Sequence, residues 1–137
     1  MSGIENKTGI KPKCRDEFAI RDQAMSGDII IEILTADVNE AAAATGWTYA
    51  VKFQLTNAAG IVHNWYNGTI DAVAGDTSVL GTATISSATP NVVDGIGTVN
   101  LIGDAVAWVA AEDATATLSG TVLGVTLGAK VFTVTIV

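Results

Sequence analysis

Apolar and β-branched residues recur in short runs from Asp28 onward, and Gly, Asn or Asp interrupts them at intervals of roughly 8–12 residues. The clearest run is Trp47–Thr56, where aromatic and aliphatic side chains alternate with Thr, Ala, Lys and Gln. A period of two with one apolar face is typical of a half-buried strand. Because no stretch has the period of a long amphipathic helix, the pattern predicts an all-β fold, an antiparallel β-sandwich over residues 28–137.

The same pattern predicts seven to nine strands and a core between them. Val38–Ala44 is rich in alanine but too short for a stable helix, and we interpret it as a connection. Further strands are predicted at Ile29–Leu34, Ser78–Ser86, Gly95–Ile102, Ala105–Val109, Ala114–Val122 and Lys130–Val137. The predicted core consists of Ile31, Val51, Phe53, Leu55, Trp65, Val99, Leu101, Leu118, Phe132, Val134 and Ile136.

Asn67 followed by Gly68 predicts a tight hairpin, because a type I′ turn needs positive φ at both central positions. A two-residue loop there pairs Ile61–Tyr66 with Thr69–Ala74. His63 then lies on the more apolar, core-facing side of the hairpin, where we interpret it as a buried neutral imidazole.

The first 27 residues show no sustained period, and we predict that they form an extended N-terminal arm outside the sandwich. Up to Arg21, five cations oppose three acids, a net charge of +2. From Asp22 onward, two cations oppose eleven acids, a net charge of −9. The arm is either a solvated tail or a docking segment for an acidic partner surface. In the docking interpretation, its cations and apolar anchors bind the partner: Lys7, Lys11, Lys13, Arg15, Phe18 and Ile20.

Length and composition narrow the function classes. A chain of 137 residues with 49% hydrophobic types suits one domain with its own core. Its apolar runs are too short for a transmembrane helix, and the N-terminus lacks the apolar segment of a secretory signal sequence. The acidic body repels phosphate, so neither nucleic acid nor a membrane is an expected partner.

The titratable residues offer little for catalysis or for a cofactor. One His and one Cys leave few ways to build a nucleophile with its base, so we predict no enzymatic activity, no metal and no cofactor. Cys14 is interpreted as an incidental free thiol, with an intermolecular disulfide as the alternative. Four acidic residues in turns lack the spacing of a calcium loop and are interpreted as solvated: Asp94, Asp104, Glu112 and Asp113.

Several apolar side chains fall on faces that the alternation turns outward, or in a short segment resembling an edge strand. Exposed apolar groups on a sandwich suggest contact with another subunit, although loops or the arm could cover them. The candidate subunit-contact residues are Ile30, Leu34, Val62, Tyr66 and Trp108.

Three stretches resemble bacterial immunoglobulin-like domains of the invasin and intimin type. They are WTYAVKFQLTNAAG (47–60), an alternating strand that ends in a turn, DGIGTVNL (94–101) and DATATLSG (113–120). The resemblance covers about residues 28–137 and implies an Ig-like β-sandwich. It reports fold and not activity.

A narrower resemblance links GTVNL (97–101) and WVAAEDATATLSGTVLG (108–124) to small structural proteins of tailed bacteriophages. It implies a virion component made in the bacterial cytoplasm, such as a capsid decoration protein that binds the outside of the head through its N-terminal arm and neighbouring copies. Its partners would be the major capsid protein or other virion subunits, and copies of itself. The alternative is an Ig-like adhesion module of an adhesin or phage fibre that binds cell-surface carbohydrate or protein through Trp65, Tyr66 and Trp108.

Overall fold

A computed structural model describes residues 29–42 and 46–137, and within these ranges the regular secondary structure is entirely β. The strands are β1 (Ile30–Ile33), β2 (Val38–Glu40), β3 (Trp47–Thr56), β4 (Gly68–Thr69), β5 (Asp71–Asp76), β6 (Ala83–Ile85), β7 (Asn91–Val93), β8 (Ile96–Gly103), β9 (Asp113–Val122) and β10 (Val125–Ile136). The all-β prediction is therefore confirmed for this part of the chain. The predicted arm, residues 1–27, lies outside the described residues.

The strands form two sheets whose apolar faces share one core, an arrangement compatible with a β-sandwich. The first sheet has the order β1-β3-β8-β7-β4, with β6 also paired to β8, and all its pairs are antiparallel. The second sheet has the order β2-β10-β9-β5, in which β2 alone runs parallel to its neighbour. The chain passes from the first sheet to the second between β1 and β2.

Alternation along the long strands builds the core. In β3 the predicted face is confirmed, since Val51, Phe53 and Leu55 are fully buried and the aromatic residues before them are partly buried. Phe53 and Phe132 are the largest fully buried side chains. Of the eleven predicted core residues, only Trp65 is not fully buried, and it packs against the core from the connection between β3 and β4.

The predicted hairpin at Asn67 and Gly68 is wrong. Neither residue has a positive φ, and β4 pairs with β7 while β5 pairs with β9 in the other sheet. The Tyr66 hydroxyl accepts a hydrogen bond from the Thr69 amide at 3.2 Å and donates one to the Thr69 carbonyl at 2.7 Å. This side chain satisfies the backbone groups of Thr69 locally, so the chain crosses between sheets instead of folding back on itself.

The hairpins with two-residue loops lie elsewhere. Asp94 and Gly95 connect β7 to β8 with φ values of 51° and 79°, and Leu123 and Gly124 connect β9 to β10 with 51° and 78°. Positive φ at both central positions is the requirement of the type I′ turn. An Asp-Gly pair favours this turn as strongly as Asn-Gly does, and here it is the Asp-Gly pair that forms it.

Three other element predictions need correction. Val38–Ala44 is not only a connection, because Val38–Glu40 forms β2. Ala105–Val109 is not a strand, and of Ser78–Ser86 only Ala83–Ile85 is extended in a sheet. Ile61, which the predicted hairpin would place on the same core-facing side as His63, is exposed.

The long strands define two ends of the molecule. At one end, which we call the tip end, Trp47 pairs with Gly103, and the β5–β6 and β8–β9 connections lie close by. At the other end, the base, Thr56 pairs with Ile30 and both two-residue hairpin loops lie. A strand of ten residues such as β9 is about 33 Å long. The N-terminal residues therefore join the sandwich at the base, about 30 Å from the tip end.

Candidate interaction surfaces

The tip end presents exposed apolar side chains on two connections, and we call this surface the apolar tip. Val79 and Leu80 in the β5–β6 connection are 90% and 65% exposed, and Val109 and Val106 in the β8–β9 connection are 55% and 36% exposed. Such side chains gain free energy when a partner covers them.

Glu112 links the two connections of the apolar tip through hydrogen bonds to both of them. One carboxylate oxygen accepts from the Val109 amide at 2.7 Å and from the Ser78 hydroxyl at 2.9 Å, and the other accepts from the Val79 amide at 3.1 Å. The Val109 amide lowers the pKa of Glu112, and the Val79 amide and the Ser78 hydroxyl add to this effect, while partial burial acts in the opposite direction. The charged carboxylate thus fixes both connections while the apolar side chains beside it stay exposed.

Trp108 fills the space beneath the apolar tip and is only 2% exposed. Its indole nitrogen donates to the Asp104 carbonyl at 3.1 Å, and its ring lies 5.4 Å from that of Trp47. A side chain at Gly81 would overlap the Trp108 ring, so only glycine fits there. Trp108 is therefore not part of an exposed contact surface, contrary to the prediction. Its inward side chain also explains why Ala105–Val109 is not a strand.

A second surface is an open cleft of about 450 Å³ near the base, between β1 and β10. Its apolar walls include Ile30, Ile33 and Val131, and its charged side chains are Glu32 and Lys130. β1 is the terminal strand of its sheet, and β2 covers β10 only from Val134 onward. The cleft therefore lies beside two strand edges.

The remaining predicted contact residues do not form one surface. Ile30 and Val62 both pair with Thr56, so they flank it in one row near the base. Leu34 is exposed just beyond β1, and Tyr66 is half-buried and occupied with Thr69. Cys14 and the six predicted arm residues (Lys7, Lys11, Lys13, Arg15, Phe18 and Ile20) lie outside the described residues.

An aromatic cluster packs at the base. His63 is buried, as predicted, and the Trp65 indole lies 3.3 Å from its Nδ1 in donor geometry. The Trp65 and Tyr66 rings meet edge-on at 6.0 Å.

Two of the four acidic turn residues are not simply solvated, because their carboxylates accept hydrogen bonds from nearby backbone amides. The Asp104 carboxylate accepts from the Thr82 amide at 2.9 Å, in the same way as Glu112 binds Val79 and Val109. Within residues 29–42 and 46–137 there is no group of three or more His, Cys, Asp or Glu side chains that could hold a metal ion.

Sequence reasoning missed the apolar tip because it assigned both of its connections to strands. The pattern that could have identified it is the composition of residues 105–111, which are Ala and Val around a single Trp and include no polar residue. Such a run, with Gly103 and Asp104 before it and Glu112 and Asp113 after it, fits a loop folded over a tryptophan as well as it fits a strand.

Comparisons with known proteins do not place the chain in a family. No family model matches it, and no curated protein matches it. Among solved structures it is similar to a conjugative transposon lipoprotein from Bacteroides eggerthii, with 10% identity, a TM-score of 0.40 and coverage of 78% of this chain and 98% of that chain. Likeness at this level carries no argument about function. In the described part of the chain, no helix could span a bilayer.

Proposed function

We propose that this chain is a non-enzymatic structural protein of a tailed-phage virion, a decoration protein on the outside of the head. The observation that carries the proposal is the apolar tip, a braced apolar surface about 30 Å from the point where the N-terminal residues join the sandwich. A small domain with attachment features at opposite ends can connect two bodies. In this proposal the apolar tip docks on the capsid shell and the N-terminal arm binds a neighbouring copy.

The strand order supports an Ig-like interpretation of the sandwich. An Ig-like domain has strands A, B, E and D in one sheet and C, F and G in the other. Here β1, β3, β8 and β7 take the places of A, B, E and D, and β5, β9 and β10 take the places of C, F and G. β2 then adds an edge strand next to the position of G.

Rigidity makes the apolar tip suitable for this role. A surface already fixed by the Glu112 hydrogen bonds and the Trp108 packing loses little conformational entropy on docking. One contact made by a few exposed apolar side chains is weak. Many copies on one shell, each bound to its neighbours, bind with avidity. The added burial would strengthen an expanded shell against internal pressure.

The test is co-sedimentation with phage heads assembled without this protein. The double variant Val79→Asp, Leu80→Asp should keep its melting temperature, because both side chains are exposed, and should lose binding to heads by tenfold or more, on the order expected for a central apolar contact. Val93→Asp is the control, because Val93 is 62% exposed, close to the value for Leu80, but lies on the outer face of β7. Failure of the wild-type chain to bind heads, or full binding by the tip variant, would contradict the proposal.

A second candidate function is an adhesion module that binds cell-surface carbohydrate. The edge-on pair of Trp65 and Tyr66, half-buried beside the exposed amides of Asn64 and Asn67, favours it, because aromatic faces with nearby amides suit sugar rings. Binding of the isolated protein to host-cell glycans, abolished by Trp65→Ala and unaffected by the tip variant, would select this function instead.

A further inference from the structure

We infer that the cleft between β1 and β10 binds the segment Glu17–Asp22 from the N-terminal arm of a neighbouring copy. The inference rests on the proposed role of the arm and identifies the surface on which it docks. It assigns a partner to a cleft that the proposed function leaves unused.

The cleft has the properties of a receptor for a short extended segment. Its volume of about 450 Å³ lies in the range of pockets that enclose small ligands. Val131 is 51% exposed at one wall of the cleft, whose apolar lining also includes Ile30 and Ile33. An apolar side chain that contacts these residues would be partly removed from water, which is favourable.

The edge of β10 offers backbone groups as well. On the side facing β2, the Val137 amide donates to the Glu40 carbonyl and the Thr133 amide donates to the Asp37 carboxylate at 2.9 Å. Alternate residues of a strand point their amides the same way, so the Val131 amide faces this side too. Val131 precedes Val134, the first residue of β10 that pairs with β2, so β2 does not cover this amide. An extended segment in the cleft can therefore pair with β10 as an added strand.

The sequence of the arm fits this site. In Glu17–Asp22, Phe18 and Ile20 alternate with Ala19 and Arg21, so an extended conformation places both large apolar side chains on one face. The segment carries charges of both signs, as the cleft does.

Charge complementarity applies at two levels. Arg21 can pair with Glu32, one oxygen of which accepts from the Gln54 amide at 2.6 Å, and Glu17 or Asp22 can pair with Lys130. Over longer range, the stretch up to Arg21 has a net charge of +2, and it meets a body of net charge −9 on every copy. Exposed pairs contribute little individually, so the apolar pair Phe18 and Ile20 dominates affinity.

The connecting chain is long enough to reach another copy. Ile20 and Ile29 are nine residues apart, which spans at most about 30 Å when extended. That exceeds the roughly 10 Å between the packed sheets, so Ile20 can extend past the edge of its own sandwich. An adjacent molecule on a shell then presents its cleft within reach.

The first experiment measures self-association of the full chain by sedimentation velocity, without phage heads. We expect concentration-dependent association, weakened at least about tenfold by Phe18→Asp with Ile20→Asp and equally by Val131→Asp. Ile96→Asp is the control, since Ile96 is exposed on the outer face of the same sheet as β1 but outside the cleft. Equal weakening by the control, or none by Val131→Asp, would overturn the inference. Melting temperatures of all variants show that each is folded.

The second experiment distinguishes a neighbour's arm from the chain's own. A copy lacking residues 1–21 keeps its cleft, and a Val131→Asp copy keeps its arm, so each alone should stay monomeric while the mixture forms a complex. The charge swap Arg21→Glu with Glu32→Arg should associate better than either single change. If the mixture stays monomeric, the arm binds its own chain and the inference is wrong. Self-association without binding to heads would overturn the decoration proposal and leave this inference standing.

Discussion

Two glycines in the hairpin loops at the base have the same backbone conformation but differ in one close contact, so comparing them measures the effect of that contact on stability. Gly95 and Gly124 occupy the same position of a type I′ turn, with φ of 79° and 78°. A Cβ at Gly95 would lie 2.5 Å from the His63 carbonyl oxygen, whereas one at Gly124 would meet nothing within 4 Å. Gly95 is thus constrained both by its conformation and by the packed His63 segment.

We therefore expect Gly124→Ala to lower the free energy of unfolding by about 1–2 kcal/mol, the cost of a left-handed conformation with a side chain. Gly95→Ala should cost clearly more, because the His63 backbone must also move. Urea unfolding of the two variants gives the difference directly. Equal losses would show that the base accommodates the extra methyl group freely.

Glu112 makes the stability of the apolar tip depend on pH. Its pKa is lowered in the folded chain, chiefly by the Val109 amide. A carboxyl with a lowered folded pKa contributes stability above its unfolded pKa, near 4.5, and loses that contribution as the pH falls through the folded value.

The wild-type chain should therefore melt at a higher temperature than Glu112→Gln at pH 7, and the difference should shrink as the pH falls below about 4.5. Scanning calorimetry at pH values on both sides of 4.5 tests this. Asp71→Asn, which removes one exposed carboxylate from β5, serves as the control for the loss of a single negative charge. A constant difference at all pH values would show that Glu112 acts through shape and not through charge.

At the scale of elements, the sequence predicts long strands well and short ones poorly. Trp47–Thr56 is found with its predicted bounds because ten residues of strict alternation have only one interpretation. β2 is missed because three residues carry no period, and its parallel pairing to β10 depends on a strand more than ninety residues later.

The errors near Tyr66 and Trp108 share a physical cause. In both, an aromatic side chain forms a hydrogen bond to nearby backbone, Tyr66 to Thr69 and Trp108 to Asp104, and replaces the strand pairing that the local pattern favours. Such bonds depend on packing against the rest of the molecule. For the same reason, the local pattern favoured a strand where the apolar tip lies, whereas the burial of His63 and of ten of the eleven core residues was predicted correctly.

The β3 face gives the clearest prediction for an element. Phe53 is fully buried, and Gly97 on β8 lies so close beneath it that a Cβ there would be 2.5 Å from the ring. Phe53→Ala should lower the free energy of unfolding by about 3–5 kcal/mol, because the cavity cannot collapse around a rigid sheet. Lys52→Ala, on the outer face of the same strand, should change it by less than about 0.5 kcal/mol in urea unfolding.

For the whole molecule, the proposed assembly separates folding from attachment. Within the part of the chain that the structure describes, a complete core lies between the two sheets, so under this proposal deleting residues 1–21 should leave the melting temperature within a few degrees of the full chain. The same deletion should weaken binding to phage heads sharply, because the arm no longer links copies into a lattice.

Replacing Lys7, Lys11, Lys13 and Arg15 by Gln should cause a smaller loss of binding, and one that disappears at high salt. Co-sedimentation at 50 mM and 500 mM NaCl compares the two variants, because the Debye length is above about 10 Å at the lower concentration and well below it at the higher one. If the truncated chain decorates heads as well as the full chain, the arm is only a solvated tail.

The position of β1 has a mechanical consequence. Its four residues pair with the end of β3 and run from the base toward the tip end, so a pull on the preceding chain acts along the strand axis. The hydrogen bonds between β1 and β3 lie across that axis and are loaded together in shear, instead of breaking one after another as in peeling. Beyond them, the passage to β2 transfers the remaining load to the other sheet through β10. A domain tethered in this way would stay folded under tension, which the proposed role on the outside of an expanding phage head requires.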